Sequence, residues 1–156
     1  MMITDRRLIS LFTFISLGML GFTFSFIGTG LPEIQNYFKI SVRDAGLITT
    51  VVQLGYAVSA FLGGVVADNI PRERLLMAGC FLLFTGTLLL RLVDNFAINL
   101  FFFAITGIGL GAVLISSNAL VVELFPDRRG TFLNIHHIFF AVASFLRKPV
   151  YRMVFS

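Results

Sequence analysis

Gly63-Gly64-Val65-Val66-Ala67-Asp68-Asn69-Ile70-Pro71-Arg72-Glu73-Arg74-Leu75-Leu76 lies between two long apolar runs, and its centre carries two acids and two arginines. A chain that crosses a bilayer and turns straight back has to put such a cluster at the water interface, on one defined side. An ionised side chain at the bilayer centre costs about 2.5 kcal/mol or more. The turn is too short for a domain, so the two runs it joins are neighbouring antiparallel spans.

Composition agrees. Of 156 residues, 57% are hydrophobic and 13% charged, and the mean hydropathy is +0.93. Soluble domains run at about 45–50% apolar and about 25% charged. The single Cys80 sits inside an apolar run, so a disulfide framework is excluded and the thiol reads as a small buried residue. The formal charge of +4 is spread along the chain without a basic block, which leaves no footprint for nucleic acid. The bilayer itself is the first expected partner.

A membrane helix needs about 20 mainly apolar residues. Five stretches approach that: 8–31, 45–67, 75–93, 97–122, and 131–146 or slightly longer. The first is longer than the apolar core of a cleavable signal, so it reads as a retained span. The fifth reaches full length only by taking in Arg147 and Lys148, whose long side chains can snorkel to an interface. With the N-terminus cytoplasmic, Arg6, Arg7, Arg72, Arg74, Arg128 and Arg129 fall inside, against Lys39, Arg43 and Arg91 outside. That asymmetry favours N-in. The tail bearing Arg147, Lys148 and Arg152 runs against it.

Small residues recur at helical spacing. Gly18, Gly21, Ser25 and Gly28 share a face of the first span; Gly55, Ser59, Gly63 and Ala67 share one of the second; Gly107 and Gly111 share one of the fourth. Such stripes let backbones approach in lipid, where hydrophobicity gives helices no drive to associate. The expected fold is all-α, a compact bundle of five transmembrane helices forming a single domain over 1–156.

The pattern Gly64-x-x-Ala67-Asp68-Asn69-x-x-Arg72-x-Arg74 resembles the loop between spans two and three of major facilitator superfamily transporters, and it falls between the second and third spans here. Gly64, Ala67, Asp68 and Arg72 match that pattern; Asn69, Pro71 and Glu73 depart from it. Gly107-Ile108-Gly109-Leu110-Gly111, followed by Glu123-Leu124-Phe125-Pro126-Asp127-Arg128-Arg129-Gly130, is similar to the family's fourth span and its exit loop, with Phe103 where the family often has an arginine. Residues 126–140 look closest to the fucose and glucose/galactose permease branch. The resemblance covers the first five of the family's twelve spans, and implies the incomplete N-terminal half of a major facilitator fold, truncated or split, with a second chain as a possible source of the missing spans.

The resemblance implies a cytoplasmic gating loop built from Gly64, Asp68, Arg72, Arg74, Glu123, Arg128 and Arg129, with Asp68 as a latch towards the other half. Glu123 closes a helix C-terminus, where a carboxylate opposes the macrodipole, so a specific cationic partner is expected for it. The substrate path of the family lies between its halves, near the bilayer midplane. Gln53, Tyr56, Asn118, Asn134 and His137 are the candidates for that path; buried amides are costly and therefore suited to face water or solute. Serines and threonines in membrane helices mostly bond their own backbone. Residues 8–31 hold no acid, so an acidic coupling site there does not carry over. Of His136 and His137, adjacent on a helix and about 100° apart, at most one faces a given cavity well.

Enzyme chemistry is not indicated. No cysteine pair with metal-ligand spacing, no phosphate-binding loop ending in Lys-Ser/Thr and no Gly-x-Ser-x-Gly is present, and the two histidines are not at i, i+4. No cofactor or metal is expected. The expected function is transport of a small polar solute, a sugar among the candidates, by alternating access, at a bacterial or archaeal plasma membrane. The competing reading is a non-transporting membrane subunit that binds a partner.

Overall fold

A computed structural model describes residues 6–155 except 67, 68 and 91, with side chains described up to residue 145. Five helices follow one another: α1 (Arg6–Phe38), α2 (Val42–Val66), α3 (Arg72–Leu89), α4 (Phe96–Leu124) and, after a 3-10 turn at Pro126–Arg128, α5 (Arg129–Phe155). The described residues contain no strand. By length and hydropathy, α1, α2 and α4 are each capable of crossing a membrane. The expectation of five spans is met at this level by three: α3 spends its first turn on Arg72, Glu73 and Arg74, leaving an apolar stretch short of the usual length.

Three boundaries differ from the sequence reading; the fifth helix runs past residue 146 to Phe155, and the other two lie on α1 and α3. Helix α1 does not stop at residue 31 but runs through Pro32 and Glu33 to Phe38. Proline removes one donor to the preceding turn, and tertiary contacts offset that loss. Ile34 packs on the core, Phe38 meets Phe96 edge-on at 6.1 Å, and the Tyr37 hydroxyl donates to Asp94 Oδ1 at 2.5 Å. An acid, Glu33, therefore does lie on the first helix, at its far end. The chain leaves α1 through Lys39 in the left-handed region, φ 52°. Helix α3 ends at Leu89 rather than residue 93. Leu92 and Val93 are apolar but sit in the turn, where Asn99 Nδ2 donates to the Val93 carbonyl at 2.7 Å and Asn95 Oδ1 caps α4 by accepting from the Ile98 amide at 3.1 Å.

Ser41 caps α2, accepting from the Asp44 amide at 3.1 Å and donating to the Asp44 carboxylate at 2.7 Å. The acid also lies at the positive end of the helix dipole. Ser41→Ala is expected to cost about 1 kcal/mol, read as a lower unfolding midpoint in a denaturant titration of the detergent-solubilised chain.

Helix α4 is the centre of the bundle, packing on all four other helices and most extensively on α2 and α3. Leu110, Val113, Leu120 and Val121 are fully or almost fully buried. Its contacts are set by glycines. A Cβ on Gly107 or Gly111 would collide with the backbone carbonyls of Val52 and Tyr56, and one on Gly55 would lie 2.8 Å from the Ala104 oxygen. The α1–α5 seam repeats this arrangement. Gly21 lies against the Phe140 carbonyl, Gly18 faces Ala143, Ser25 donates to the Ser144 carbonyl at 3.3 Å, and Ser144 donates to the Gly21 carbonyl at 3.0 Å. Both seams thus rest on small residues set against a facing backbone carbonyl.

Not every expected packing glycine is a close contact. A Cβ on Gly18 or Gly63 would make only ordinary contacts, at 3.8 and 3.7 Å, and nothing described comes within 4 Å of one on Gly28. The α3–α4 seam went unread in the sequence. There a Cβ added at Gly79 would stand 2.9 Å from the Val113 amide nitrogen, one at Gly86 would collide with Thr106, and one at Gly109 would stand 2.5 Å from the Leu83 amide nitrogen. Gly79 and Gly86 are seven apart and share a face, a signal the sequence did contain.

Candidate functional site

Antiparallel packing brings the first residue of α3 beside the last turn of α4. Arg72 Nη1 lies 2.8 Å from Glu123 Oε2. Each charge is badly placed on its own helix: a cation at an N-terminus and an anion at a C-terminus both oppose the macrodipole. Side by side they cancel. Both side chains are partly exposed, at 35% and 57%, so the pair contributes only about 0–1 kcal/mol to stability. Its consequence is positional, because it ties the end of α3 to the end of α4.

The turn that delivers Arg72 is tight. The amides of Asn69 and Ile70 both donate to the Val66 carbonyl at 3.0 Å, and those of Arg74 and Leu75 donate to Pro71 at 2.9 and 3.2 Å. Pro71 itself occupies the N-cap of α3. Asp68, the expected latch, and Ala67 lie outside the described residues. Gly64 belongs to the last turns of α2 and is exposed, and among the described residues no other element comes within 4 Å of where its Cβ would stand.

A cavity of about 600 Å³ opens beside the ion pair, lined by Arg72, Asn118, Glu123, Leu133 and His137 among others. It gathers polar side chains from three helices. Two of their atoms, Arg72 Nε and Asn118 Oδ1, are buried and have no hydrogen-bond partner among the described residues. One is a donor and the other an acceptor, and both belong to residues of the cavity wall. His137 faces this cavity, whereas His136 is fully buried against α1. Its Nε2 stands 3.3 Å from the Thr13 carbonyl, and its ring meets Phe14 edge-on at 5.2 Å. The bond fixes the Nε2–H tautomer as donor and leaves Nδ1 a buried acceptor with no described partner.

The remaining candidates do not join this cavity. Gln53 lines a small cleft between α1 and α2, together with Phe24 and Thr49, and Tyr56 packs edge-on against Phe24 at 6.0 Å. Asn134 is exposed on α5 outside the cavity wall. Arg74 and Arg128 are exposed, and Arg129 Nε donates to the Pro126 carbonyl at 3.0 Å. Most buried hydroxyls serve their own helices: Thr13, Ser16, Thr106 and Ser116 all donate to carbonyls one turn earlier. A second concavity of about 480 Å³ lies at the opposite end between α1, α3 and α4. Its walls are mostly apolar; Glu33 and Asn36 are among its polar residues, and Tyr37 and Asn99 are engaged in the α3–α4 turn.

Sequence reasoning overlooked Arg6 except as a topology marker. Its guanidinium donates to the Leu124 carbonyl and lies 5.5 Å above the Phe125 ring, which is itself stacked on Phe132 at 3.6 Å. A cation thus sits on the negative end of α4 and pins the start of α1 to the α4–α5 turn. No spacing in the sequence marks that contact, since the partners are over a hundred residues apart.

The Major Facilitator Superfamily model matches residues 13–147. The chain is 26% identical over 161 residues to a Protein TsgA homolog of Buchnera aphidicola, covering 99% of this chain and 41% of that protein. It is 25% identical over 120 residues to Organic cation/carnitine transporter 7 of Arabidopsis thaliana, covering 77% and 23%. It is 30% identical over 115 residues to Protein spinster of Drosophila melanogaster, covering 73% and 19%. The chain thus spans less than half the length of each of these relatives.

Proposed function

The chain belongs to the major facilitator superfamily, a family of multi-pass integral membrane transporters, and we propose that it is the part of a secondary transporter that carries one gate and one wall of the solute route. The observation that carries this is the cavity where Arg72, Glu123, Asn118 and His137 converge. In an otherwise apolar chain, polar side chains turned into a concavity mark the path of a solute or ion. A small polar solute passes Asn118 and His137, and an amide and an imidazole suit the hydroxyls of a neutral polyol such as a sugar. A relative whose name gives organic cation and carnitine makes charged solutes the natural counter-panel.

In this reading all five helices span the membrane, with the N-terminus and the Arg72–Glu123 end cytoplasmic. Alternating access rocks one bundle against another around a fixed site, so a second bundle, in the same polypeptide or another, closes against this end. Asp68 and Arg74 belong to the closing surface. The Arg72–Glu123 pair keeps α3 and α4 moving as one body, and Arg128 and Arg129 hold the α4–α5 turn at the interface.

The test is uptake of labelled polyols and organic cations by cells expressing the transporter that contains this chain. Arg72→Glu and Glu123→Arg are each expected to lower uptake tenfold or more at equal membrane abundance, and the double exchange to restore most of it. Asn118→Ala is expected to raise KM with little change in maximal rate. If the exchange rescues nothing, or the unmodified protein moves neither class, the proposal fails.

A further inference from the structure

Helices α1 and α5 close over one imidazole. His136 is fully buried, and its Nε2–H donates across the seam to the Thr13 carbonyl at 3.3 Å. The Phe14 ring lies edge-on to it at 5.2 Å. With Nε2 committed as a donor, Nδ1 is where a second proton would go. That atom is enclosed and has no hydrogen-bond partner among the described residues.

The described residues around the ring offer nothing to balance an imidazolium. His137, whose ring is 6.0 Å away on the same helix, is itself a base and adds a like charge when protonated. Helix α1 holds no ionisable side chain from residue 9 to residue 17, a turn to either side of Thr13, and its Arg6 and Arg7 are cations. Arg129, seven residues before His136 on α5, is a cation bonded to the Pro126 carbonyl. Glu123 is the one charged residue of α4, and it is paired with Arg72 on the cavity that His137 faces.

From this enclosure we propose that the α1–α5 seam is an acid-sensitive joint, fastened by the neutral ring of His136 and released when that ring takes a second proton. A protonated Nδ1 in the closed seam is a buried donor without an acceptor, on a ring that carries a charge. The proton is therefore taken with the ring out of the seam. His136 lies about 10 Å into α5, roughly two turns from the polar 3-10 turn at Pro126–Arg128, so a short opening at this end reaches water. A histidine so exposed titrates near its ordinary value of about 6.5. The open form binds the proton and the closed form does not, so acid shifts the balance towards opening. The inference is independent of what the protein transports.

Hydrogen–deuterium exchange of the purified transporter that contains this chain, at pH 7.5 and 5.5 and corrected for the intrinsic rate of each amide, tests this. Amides of residues 9–17 and 132–140 are expected to exchange roughly tenfold faster at the lower pH, the shift that one histidine titrating only in the open form produces over that interval. Those of the α2–α4 seam should not change. His136→Gln keeps a donor for the Thr13 carbonyl and His136→Phe keeps an aromatic ring. Neither titrates, so both should abolish the ratio between the two pH values, whatever their absolute stability. His137→Gln should retain it. A wild-type seam that exchanges equally at both pH values, a tenfold ratio that survives in both His136 variants, or its loss in His137→Gln would overturn the proposal.

Discussion

Gly107→Val is expected to prevent the bundle from closing. A Cβ there has no space, since the Val52 backbone carbonyl occupies its position. A carbonyl held within α2 cannot swing aside as a side-chain end can, so either α2 moves away from α4 or the helix distorts. Overpacking of a tight core costs about 3 kcal/mol at the upper end of the usual range. Here the displaced element carries Val52, Tyr56 and Ser59, and thus most of the α2–α4 seam. The expected result is loss of a monodisperse peak in size-exclusion chromatography and a fall of the unfolding midpoint by about 6–12 degrees. Gly46→Ala is the internal control: nothing described approaches that position, and alanine is the better helix former by about 1 kcal/mol. A Gly107→Val protein as stable as the Gly46→Ala one would show that the α2–α4 approach is looser than described.

The two adjacent histidines should separate structure from transport. His136 is enclosed between α1 and α5, so His136→Ala removes a bulky buried ring and its bond to Thr13 together. The expected loss is about 2–4 kcal/mol, seen as a lower unfolding midpoint with α1 and α5 the first elements to exchange amide hydrogens. His137→Ala, on the cavity side of the same turn, should leave the midpoint within about 0.5 kcal/mol and act on uptake. Equal destabilisation by both would mean that α5 has no fixed rotation against α1.

This contrast shows how far the sequence could be read. That only one of the two histidines faces a given cavity follows from helix geometry alone. Which one does so depends on the rotation of α5, fixed by Gly21 against Phe140 and Ser144 against Gly21. Glu123 announced its need for a cation by standing at a helix C-terminus, and Arg72 answers it. Gln53 and Tyr56 were legible as polar groups in a span, but burial cost says nothing about which cleft a residue lines, and they lie apart from Asn118 and His137.

By itself the sequence determined the helices, their order and the charged turns that separate them. Those follow from local quantities: the length of apolar runs against bilayer thickness and the cost of burying charge. It also carried the family, through Gly64, Ala67, Asp68 and Arg72 between the second and third apolar runs. Only the tertiary structure decided that α4 is the central helix, that α1–α5 repeats the α2–α4 seam, that α1 continues through Pro32, and that Arg6 crosses to the end of α4. In lipid the apolar faces of helices are alike in energy. The choice among them is made by backbone-to-backbone fit and by single polar contacts between residues far apart in the chain, and neither has a local signature.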